Sequence, residues 1–133
     1  MRILILGCGP LTDLLLTSLD SDEHQFTVLS DDVNCLSDIA DEPRVNAILT
    51  VEPLMQDYLQ LGGIGRADAF LGLSEDEHQN ILACQIAKHI FNVEKVVCRL
   101  ENLQLQQLYT ELELQVISPT LDLLQELNQS LQG

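Results

Sequence analysis

The sequence predicts an α/β fold: a doubly wound parallel sheet of about six strands with helices on both faces. Two observations lead to this fold class. Short apolar runs alternate with helix-like segments along the chain, and each run is continuously apolar, as is typical of strands that are buried on both faces of a sheet. Because neighbouring parallel strands are joined by right-handed crossovers, the alternation indicates a Rossmann-like arrangement.

The predicted strands are apolar runs that end at polar or turn residues. The first run follows Arg2 and ends at Gly7. Pro43 disfavours helix in the residue before it, so a new strand is expected after it. In chain order the runs that hold the six strands are residues 3–6, 26–29, 45–49, 69–73, 93–100 and 114–117.

Between these runs the apolar residues recur at helical spacing. Pro53 suits the first turn of a helix that Gly62 and Gly63 then end. Ser74 is a good N-cap, and the acidic residues 75–77 after it fall in the first turn, where the helix dipole favours negative charge. The predicted helices cover residues 11–19, 33–39, 53–61, 75–91, 103–112 and 119–131. The expected buried stripes are Leu11, Leu14, Leu15 and Leu19 in the first helix, and Ile81, Leu82, Ile86 and Ile90 in the fourth.

Composition limits the possible partners and the compartment. With 133 residues, 46% of them hydrophobic, the chain is expected to fold as one domain spanning residues 1–133. The net charge of −15, with only six basic residues and no basic run, should repel nucleic acids and anionic membrane surfaces. No apolar run approaches the ~20 residues that span a bilayer, and the N-terminus does not resemble a signal peptide, so we expect a cytoplasmic protein. The four cysteines, Cys8, Cys35, Cys84 and Cys98, lie far apart without a C-x-x-C pair, so buried reduced thiols are expected.

The glycine-rich turn after the first strand is the strongest indication of a ligand site. In the G-x-G-x-x-G fingerprint the glycines permit a tight turn, an approaching pyrophosphate and close packing of helix on strand. Gly7 and Gly9 are present, but Thr12 occupies the third place. The amides of Gly9, Leu11 and Thr12 could bind an anion at a helix N-terminus, whereas Pro10 has no amide to give. A purely structural tight turn remains an equal alternative.

The other turns at this sheet edge supply candidate polar groups. Ligands of such sheets bind beyond the carboxyl ends of the strands, where the strand order reverses. The carboxylate that normally holds the ribose hydroxyls is replaced by Ser30, so Asp31 could substitute if the second strand ends one residue later. Glu52 could also reach an adenosine. Arg99 is placed to pair either with Glu75 or with a ligand phosphate.

Catalytic and metal chemistry find no support in the sequence. The histidines lie in different segments without the i, i+4 spacing of a zinc site, and no serine stands in a G-x-S-x-G elbow. No cysteine has an evident histidine partner. An oxidoreductase would need a substrate domain and a catalytic acid or base that the sequence does not offer. The chain is therefore predicted to be neither an enzyme nor a metalloprotein.

The ordered motifs resemble the N-terminal nucleotide-binding lobe of RCK domains, the regulators of potassium conductance also called TrkA-N domains. The resemblance covers nearly the whole chain. The motifs that carry it are residues 1–9 (MRILILGCG), 63–69 (GIGRADA), 74–80 (SEDEHQN), 97–99 (VCR) and 116–119 (VISP). The second and third of these are more specific than the glycine turn.

This resemblance implies a cytoplasmic regulatory module that binds NAD(H), ATP, ADP or AMP. Such lobes dimerise or form rings and act on the membrane subunit of a potassium channel or transporter, which would hold the module at the inner membrane without inserting it. The C-terminal lobe of full RCK subunits is not expected in this sequence. The resemblance and the turn analysis together give these candidate cofactor-binding residues: Gly7, Cys8, Gly9, Pro10, Leu11, Thr12, Ser30, Asp31, Asp32, Val51, Glu52, Leu73, Ser74, Glu75, Asn80 and Arg99.

The departures from the family pattern all fall in the predicted groove. Pro10 stands where the family has an arginine, Thr12 where it has the third glycine, and Ser30 where it has an acidic residue. Val51 and Glu52 replace a Gly-Asp pair. We therefore predict a regulatory module with a degenerate nucleotide groove. The alternative is a stand-alone dimeric interaction module that has lost nucleotide binding altogether.

Overall fold

The computed structural model describes residues 1–19, 22–51, 54–102 and 114–132. In these residues six parallel strands form one sheet in the order β3-β2-β1-β4-β5-β6. The strands are β1 Arg2–Leu6, β2 Gln25–Ser30, β3 Val45–Leu49, β4 Ala69–Gly72, β5 Lys95–Arg99 and β6 Gln115–Ile117. The order reverses between β1 and β4, so the carboxyl ends of these two strands flank the switch point. The predicted fold class is confirmed.

Helices cover both faces of the sheet because side chains of successive strand residues point to opposite faces. Ile3 and Ile5 of β1 belong to a core shared with Leu16 and Leu36, whereas Leu4 belongs to a second core on the other face. The helices are α1 Pro10–Ser18, α2 Val33–Ile39, α3 Met55–Leu61, α4 Glu77–Gln85 and α5 Pro119–Gln132. A 3₁₀ turn, Ile64–Arg66, precedes β4, and a π-helical turn, Ile86–Ile90, continues α4.

The strands and α2 agree with the sequence-based expectations, but α4 begins later than predicted. Its N-cap is Asp76, not Ser74, and the Asp76 carboxylate accepts hydrogen bonds from the amides of His78 and Gln79 at 3.0 and 3.3 Å. Ser74 instead accepts a bond from the Asp76 amide within the preceding turn. Glu75 therefore lies outside the helix. Pro53 and the predicted helix 103–112 lie outside the described residues.

The expected buried stripes of α1 and α4 were only partly right. In α1 the buried residues are Thr12 and Leu16, whereas Leu11 and Leu14 are exposed. In α4 and its π-helical extension Ile81 is buried, while Leu82 and Ile90 are exposed. The residues that replace them against the sheet are small: Ala83, Cys84 and Ala87. Small side chains let a helix approach a sheet closely, and hydrophobicity alone does not predict that preference.

The cysteine expectation fails for one pair. Cys8 and Cys35 form a disulfide with a Cα–Cα distance of 6.0 Å, although 27 positions separate them in sequence. The parallel pairing of β1 with β2 brings the turn after β1 next to the start of α2, and sequence spacing does not reveal this. Cys84 and Cys98 are buried free thiols, as expected.

The C-terminal helix α5 differs from the others because none of its residues is buried. Its exposed large apolar side chains are Leu123, Leu124, Leu127 and Leu131. Among the residues that the structure describes, none of the helices combines the length and apolar character needed to cross a bilayer.

Candidate functional site

A groove lies at the carboxyl ends of the strands, at the switch point of the sheet. Its walls are the turn after β1, the turn after β2, the turn after β4 and the end of β5. The residues that line it are Gly7, Cys8, Gly9, Pro10, Leu11, Thr12, Ser30, Asp31, Asp32, Leu73, Ser74, Glu75 and Arg99. The fold thus brings together thirteen of the sixteen residues that sequence reasoning proposed, the remainder being Val51, Glu52 and Asn80.

A second pocket adjoins this groove and shares four residues with it, Gly7, Ser30, Asp31 and Ser74. The volumes are about 240 Å³ for the groove and about 350 Å³ for the second pocket. Small-ligand sites usually occupy about 300 to 1,000 Å³, so the two spaces together match a ligand of mononucleotide size. On the side of α3 and α4 the lining of the second pocket continues with Thr50, Met55, Tyr58 and Gln79.

The first glycine of the turn is required by the fold itself. Gly7 has a φ of +115°, which side chains rarely tolerate, and a Cβ there would lie 2.7 Å from the Ser74 nitrogen and 2.9 Å from the Leu73 carbonyl carbon. Its own amide donates to the Leu29 carbonyl at 2.8 Å. Gly7 is therefore packed between the β2 and β4 sides of the groove.

The second glycine is different, because nothing in the fold requires it. Gly9 is extended, with a φ of 179°, and a Cβ built on it would meet no atom within 4 Å. Gly9 is also the N-cap of α1 and provides no side chain to accept from the first helical amides. Open space beside uncapped amides at a helix N-terminus is the arrangement that suits an anionic group. The residues present therefore fit a phosphate.

Thr12 occupies the position of the third glycine and stabilises the turn through its side chain. Its side chain is only 2% exposed, and its hydroxyl donates to the Gly7 carbonyl at 3.1 Å. Pro10 takes the first position of α1, where its missing amide costs no helical hydrogen bond. The amides of Leu11 and Thr12 are thus the groups of this turn best placed for an anion.

In the turn after β2, two polar side chains form hydrogen bonds within the turn and a third is exposed at the groove. The Ser30 hydroxyl accepts from the Asp32 amide at 3.0 Å, and the Asp32 carboxylate accepts from the Cys35 amide at 3.1 Å to cap α2. Asp31 is exposed at the groove and makes no hydrogen bond or ion pair with the described residues. Asp31 therefore presents a carboxylate to the groove that has no partner among the described residues, whereas Ser30 and Asp32 are engaged in the turn.

Asn80 lies beneath the groove rather than in its lining. It is 0% exposed, its carbonyl oxygen accepts from the Ser74 amide at 2.8 Å, and its amide nitrogen donates to the carbonyls of Ser74 and Arg99 at 2.7 and 3.1 Å. One buried carboxamide thereby connects the turn after β4 to the end of β5. The structure gives Asn80 a positioning role.

Charge in the groove is predominantly negative. Arg99 does not pair with Glu75, the partner that the sequence suggested, but lies 3.7 Å from Glu101. The lining carboxylates are Asp31, Asp32 and Glu75, and Arg99 is the single cation among the described lining residues. The carboxylates of the lining therefore create a field that opposes the binding of an anion, with one arginine against it.

The predictions for the turn after β3 are the least supported. Val51 is exposed and does not belong to the lining, where Thr50 is found instead, and Glu52 lies outside the described residues. Sequence reasoning missed Met55 and Tyr58 of α3 and Gln79 of α4. Met55 and Tyr58 are three residues apart on α3 and so share one face of it, a spacing that could have identified them. Burial is the main cause that raises the pKa of the Tyr58 hydroxyl, so it stays a neutral donor near pH 7.

Strand order and groove position define a Rossmann-like domain with a groove at its switch point. The chain belongs to the TrkA-N domain family, whose model matches residues 3–119. It is 28% identical over 121 residues to the Trk system potassium uptake protein TrkA of Streptomyces coelicolor, covering 89% of this chain and 52% of that protein. It is 30% identical over 90 residues to a TrkA homolog of Pyrococcus abyssi, covering 68% of this chain and 39% of the relative. The chain thus spans about half or less of the length of these relatives.

Two solved structures share the fold. The C-terminal domain (CTD) of Kef from Shewanella denitrificans, solved in an AMP-bound form, superposes with a TM-score of 0.78 at 16% identity, covering 100% of this chain and 82% of that one. The GsuK RCK domain gives a TM-score of 0.71 at 18% identity, covering 87% of this chain and 25% of that one. The resemblance to RCK domains is confirmed. Within the described residues no group of three or more His, Cys, Asp or Glu side chains could hold a metal ion.

Proposed function

We propose that this chain is a nucleotide-responsive regulatory module of a potassium transport system. The observation that carries the proposal is the TrkA-N match over residues 3–119, because the similar curated proteins are named potassium uptake proteins. Regulation rather than catalysis is favoured because the described lining lacks a nucleophile paired with a base. The module would work in the cytoplasm, against a membrane subunit of the transporter.

Among the candidate ligands, a nucleoside monophosphate such as AMP fits the groove best. Its phosphate would accept from the amides of Leu11 and Thr12, with Arg99 nearby, and its ribose hydroxyls would donate to Asp31. Each further phosphate of ADP and ATP adds negative charge beside three carboxylates, and the second nucleoside of NAD(H) exceeds the mononucleotide size of the two adjoining spaces. ATP, ADP and NAD(H) are therefore expected to bind more weakly than AMP.

The proposed regulatory step follows from the number of turns that one ligand would contact. A mononucleotide in the groove would connect the turns after β1, β2 and β4, so binding would restrict their relative motion. A difference in affinity between two arrangements of these turns is what lets a ligand shift the equilibrium between them. The transporter would sense that shift through surfaces of the module, α5 among them.

Calorimetric titration with AMP, ADP, ATP and NADH tests the ligand preference. We expect AMP to bind most tightly and ATP, which carries the most negative charge, to bind more weakly than ADP. In a strain lacking the chain's gene, potassium uptake at low external potassium should be impaired and should be restored by the intact gene. Tighter binding of NADH than of AMP would contradict the proposed groove chemistry, and normal uptake in the deletion strain would contradict the role in potassium transport.

A second candidate function is a dimeric interaction module that binds no nucleotide. Two observations favour it: the carboxylate excess in the groove and the row of exposed leucines on α5. This candidate predicts that none of the four nucleotides changes the melting temperature, while light scattering gives a dimer mass in their absence. A monomer that dimerises only with AMP would exclude it.

A further inference from the structure

The Cys8–Cys35 disulfide joins the two walls of the groove that a nucleotide would need. Cys8 lies between Gly7 and Gly9 in the turn that offers amides to a phosphate. Cys35 lies in the first turn of α2, where its amide donates to the carboxylate of Asp32. The bond therefore connects the phosphate turn to the turn that presents Asp31.

This pair is also the accessible pair of cysteines. Cys8 and Cys35 are each half-buried, so a small reagent in solvent can approach the bond from the groove side. Cys84, in α4, and Cys98, in β5, are each 0% exposed. Reactivity of cysteines requires access to the sulfur, so reagents should distinguish the two pairs in the folded protein.

The bond is not needed to make a domain of this size fold. The chain buries an apolar core on each face of its sheet, and domains that need disulfides for stability are usually much smaller. In a reducing compartment, where we place this module, a protein disulfide is more often redox-sensing than structural. The position of the bond, across the ligand groove, agrees with such a role.

We propose that Cys8 and Cys35 form a reversible thiol–disulfide site whose oxidation state sets the nucleotide affinity of the groove, an inference that rests on the proposed nucleotide binding. A low-molecular-weight disulfide is the oxidant. One protein thiolate attacks it and releases one small thiolate, and the second protein thiolate then displaces the other. Two protein thiols lose two electrons, the disulfide gains them, and the two protons leave with two small thiols. A small dithiol reverses the exchange.

The direction of the effect follows from preorganisation. With the bond formed, the two turns are held at the 6.0 Å Cα separation of Cys8 and Cys35, so fewer conformations are lost when a ligand contacts both. With the thiols free, the same turns must be ordered by the ligand itself. Each side chain or loop group ordered on binding costs a factor of about two to ten in affinity. Reduction should therefore weaken AMP binding by about two- to tenfold.

The test compares AMP titrations of the full chain in buffers containing oxidised or reduced dithiothreitol. Native alkylation with iodoacetamide, followed by mass measurement, counts the accessible thiols in each state. We expect no modification in the oxidised buffer, two modified cysteines in the reduced one, and AMP binding about two- to tenfold weaker after reduction. Cys35→Ser should bind AMP with the reduced-state affinity in both buffers.

Each other result has a distinct meaning. Equal AMP affinity in the two states, with the bond present in one, overturns this inference and leaves the proposed function intact. Two alkylated cysteines in the oxidised buffer also overturn the inference alone. Failure of AMP, ADP, ATP and NADH to bind in either state overturns both, because no nucleotide affinity then exists to be set.

Discussion

Two glycines two positions apart serve different physical purposes in the turn after β1. Gly7 is fixed by the backbone of Ser74 and by a positive φ, so Gly7→Ala should lower the free energy of unfolding by about 2 kcal/mol or more. Gly9 has open space around its Cα, so Gly9→Ala should cost less than about 1 kcal/mol, the usual effect of a poorer N-cap. Urea denaturation measures both changes.

Substitutions at the same two glycines distinguish an effect on folding from an effect on ligand binding. Gly9 lines the groove together with Leu11 and Thr12, so a methyl group on it would project into space that a phosphate needs there, and AMP affinity should fall by about tenfold while the fold persists. Calorimetry on the folded Gly9→Ala variant measures this loss. Unchanged AMP affinity would show that the phosphate does not bind in the open space at Gly9.

Asp31 and Asp32 are adjacent carboxylates with opposite expected roles. Asp31 is free at the groove, so Asp31→Asn should weaken AMP binding by about tenfold, the effect of losing a charged acceptor for the ribose hydroxyls. Asp32 caps α2 through the Cys35 amide, and asparagine caps equally well, so Asp32→Asn should not weaken binding. Equal gains in the two variants would point to relief of general charge repulsion instead of a specific ribose contact.

At the scale of elements, Arg44 connects the start of β3 to the end of α1. Its guanidinium donates to the carbonyls of Leu16 and Leu19 at the C-terminus of α1, and it lies 5.4 Å from the Phe26 ring centroid. Arg44→Ala removes charged donors from helix-terminal carbonyls, so the free energy of unfolding should fall by about 2 kcal/mol. Arg66→Ala is the matched control and should stay within about 0.5 kcal/mol of the parent in urea denaturation. Equal effects of the two substitutions would refute this account.

The hydrogen bond from Arg44 is the main cause that lowers the pKa of Glu42. A carboxyl whose folded pKa is depressed contributes stability above its ordinary pKa of 4.5, and that contribution is lost as the pH falls through the lowered folded value. Stability measured from pH 6 down to pH 3 should therefore decline less in Glu42→Gln than in the parent. Parallel pH curves would contradict the linkage.

The elements differ in how well the sequence could predict them. Continuous apolar runs located the strands, because burial on both faces leaves little room for polar residues. The start of α4 was missed because Ser74 and Asp76 are both good N-caps, and only the buried Asn80, bonded to the Ser74 backbone, makes the later one correct. Local propensity cannot include that tertiary contact. The groove-lining turns were predictable because the carboxyl ends of parallel strands share one edge, whereas Met55 and Tyr58 reach the second pocket from a helix face.

At the scale of the whole molecule, the Cys8–Cys35 bond closes a loop that contains the crossover from β1 to β2 and the start of α2. A crosslink over 27 positions restricts the unfolded chain, and bonds of this span typically contribute about 3 kcal/mol. Reduction should lower the free energy of unfolding by that amount while the domain, with cores on both faces of its sheet, stays folded. Urea denaturation with and without dithiothreitol measures the difference. The free energy of unfolding of Cys35→Ser should equal that of the reduced parent. A further decrease in the free energy of unfolding of Cys35→Ser on reduction would implicate another bond.

The dimer of the second candidate function would bring together the exposed leucines of α5 from two copies that both carry a strong negative charge. A net charge of −15 makes two copies repel each other, and salt screens that repulsion over about 10 Å at 0.1 M ionic strength. Association through the apolar face of α5 should therefore strengthen from 20 to 300 mM KCl, the reverse of an interface held by ion pairs. Sedimentation velocity measures the dimer fraction at each salt concentration. Because no residue of α5 is buried, Leu127→Glu should abolish the dimer without changing the melting temperature of the monomer. The control is Leu16→Glu, which places a charge in the buried face of α1 and should unfold the protein. A salt-independent monomer would remove α5 as the contact between copies.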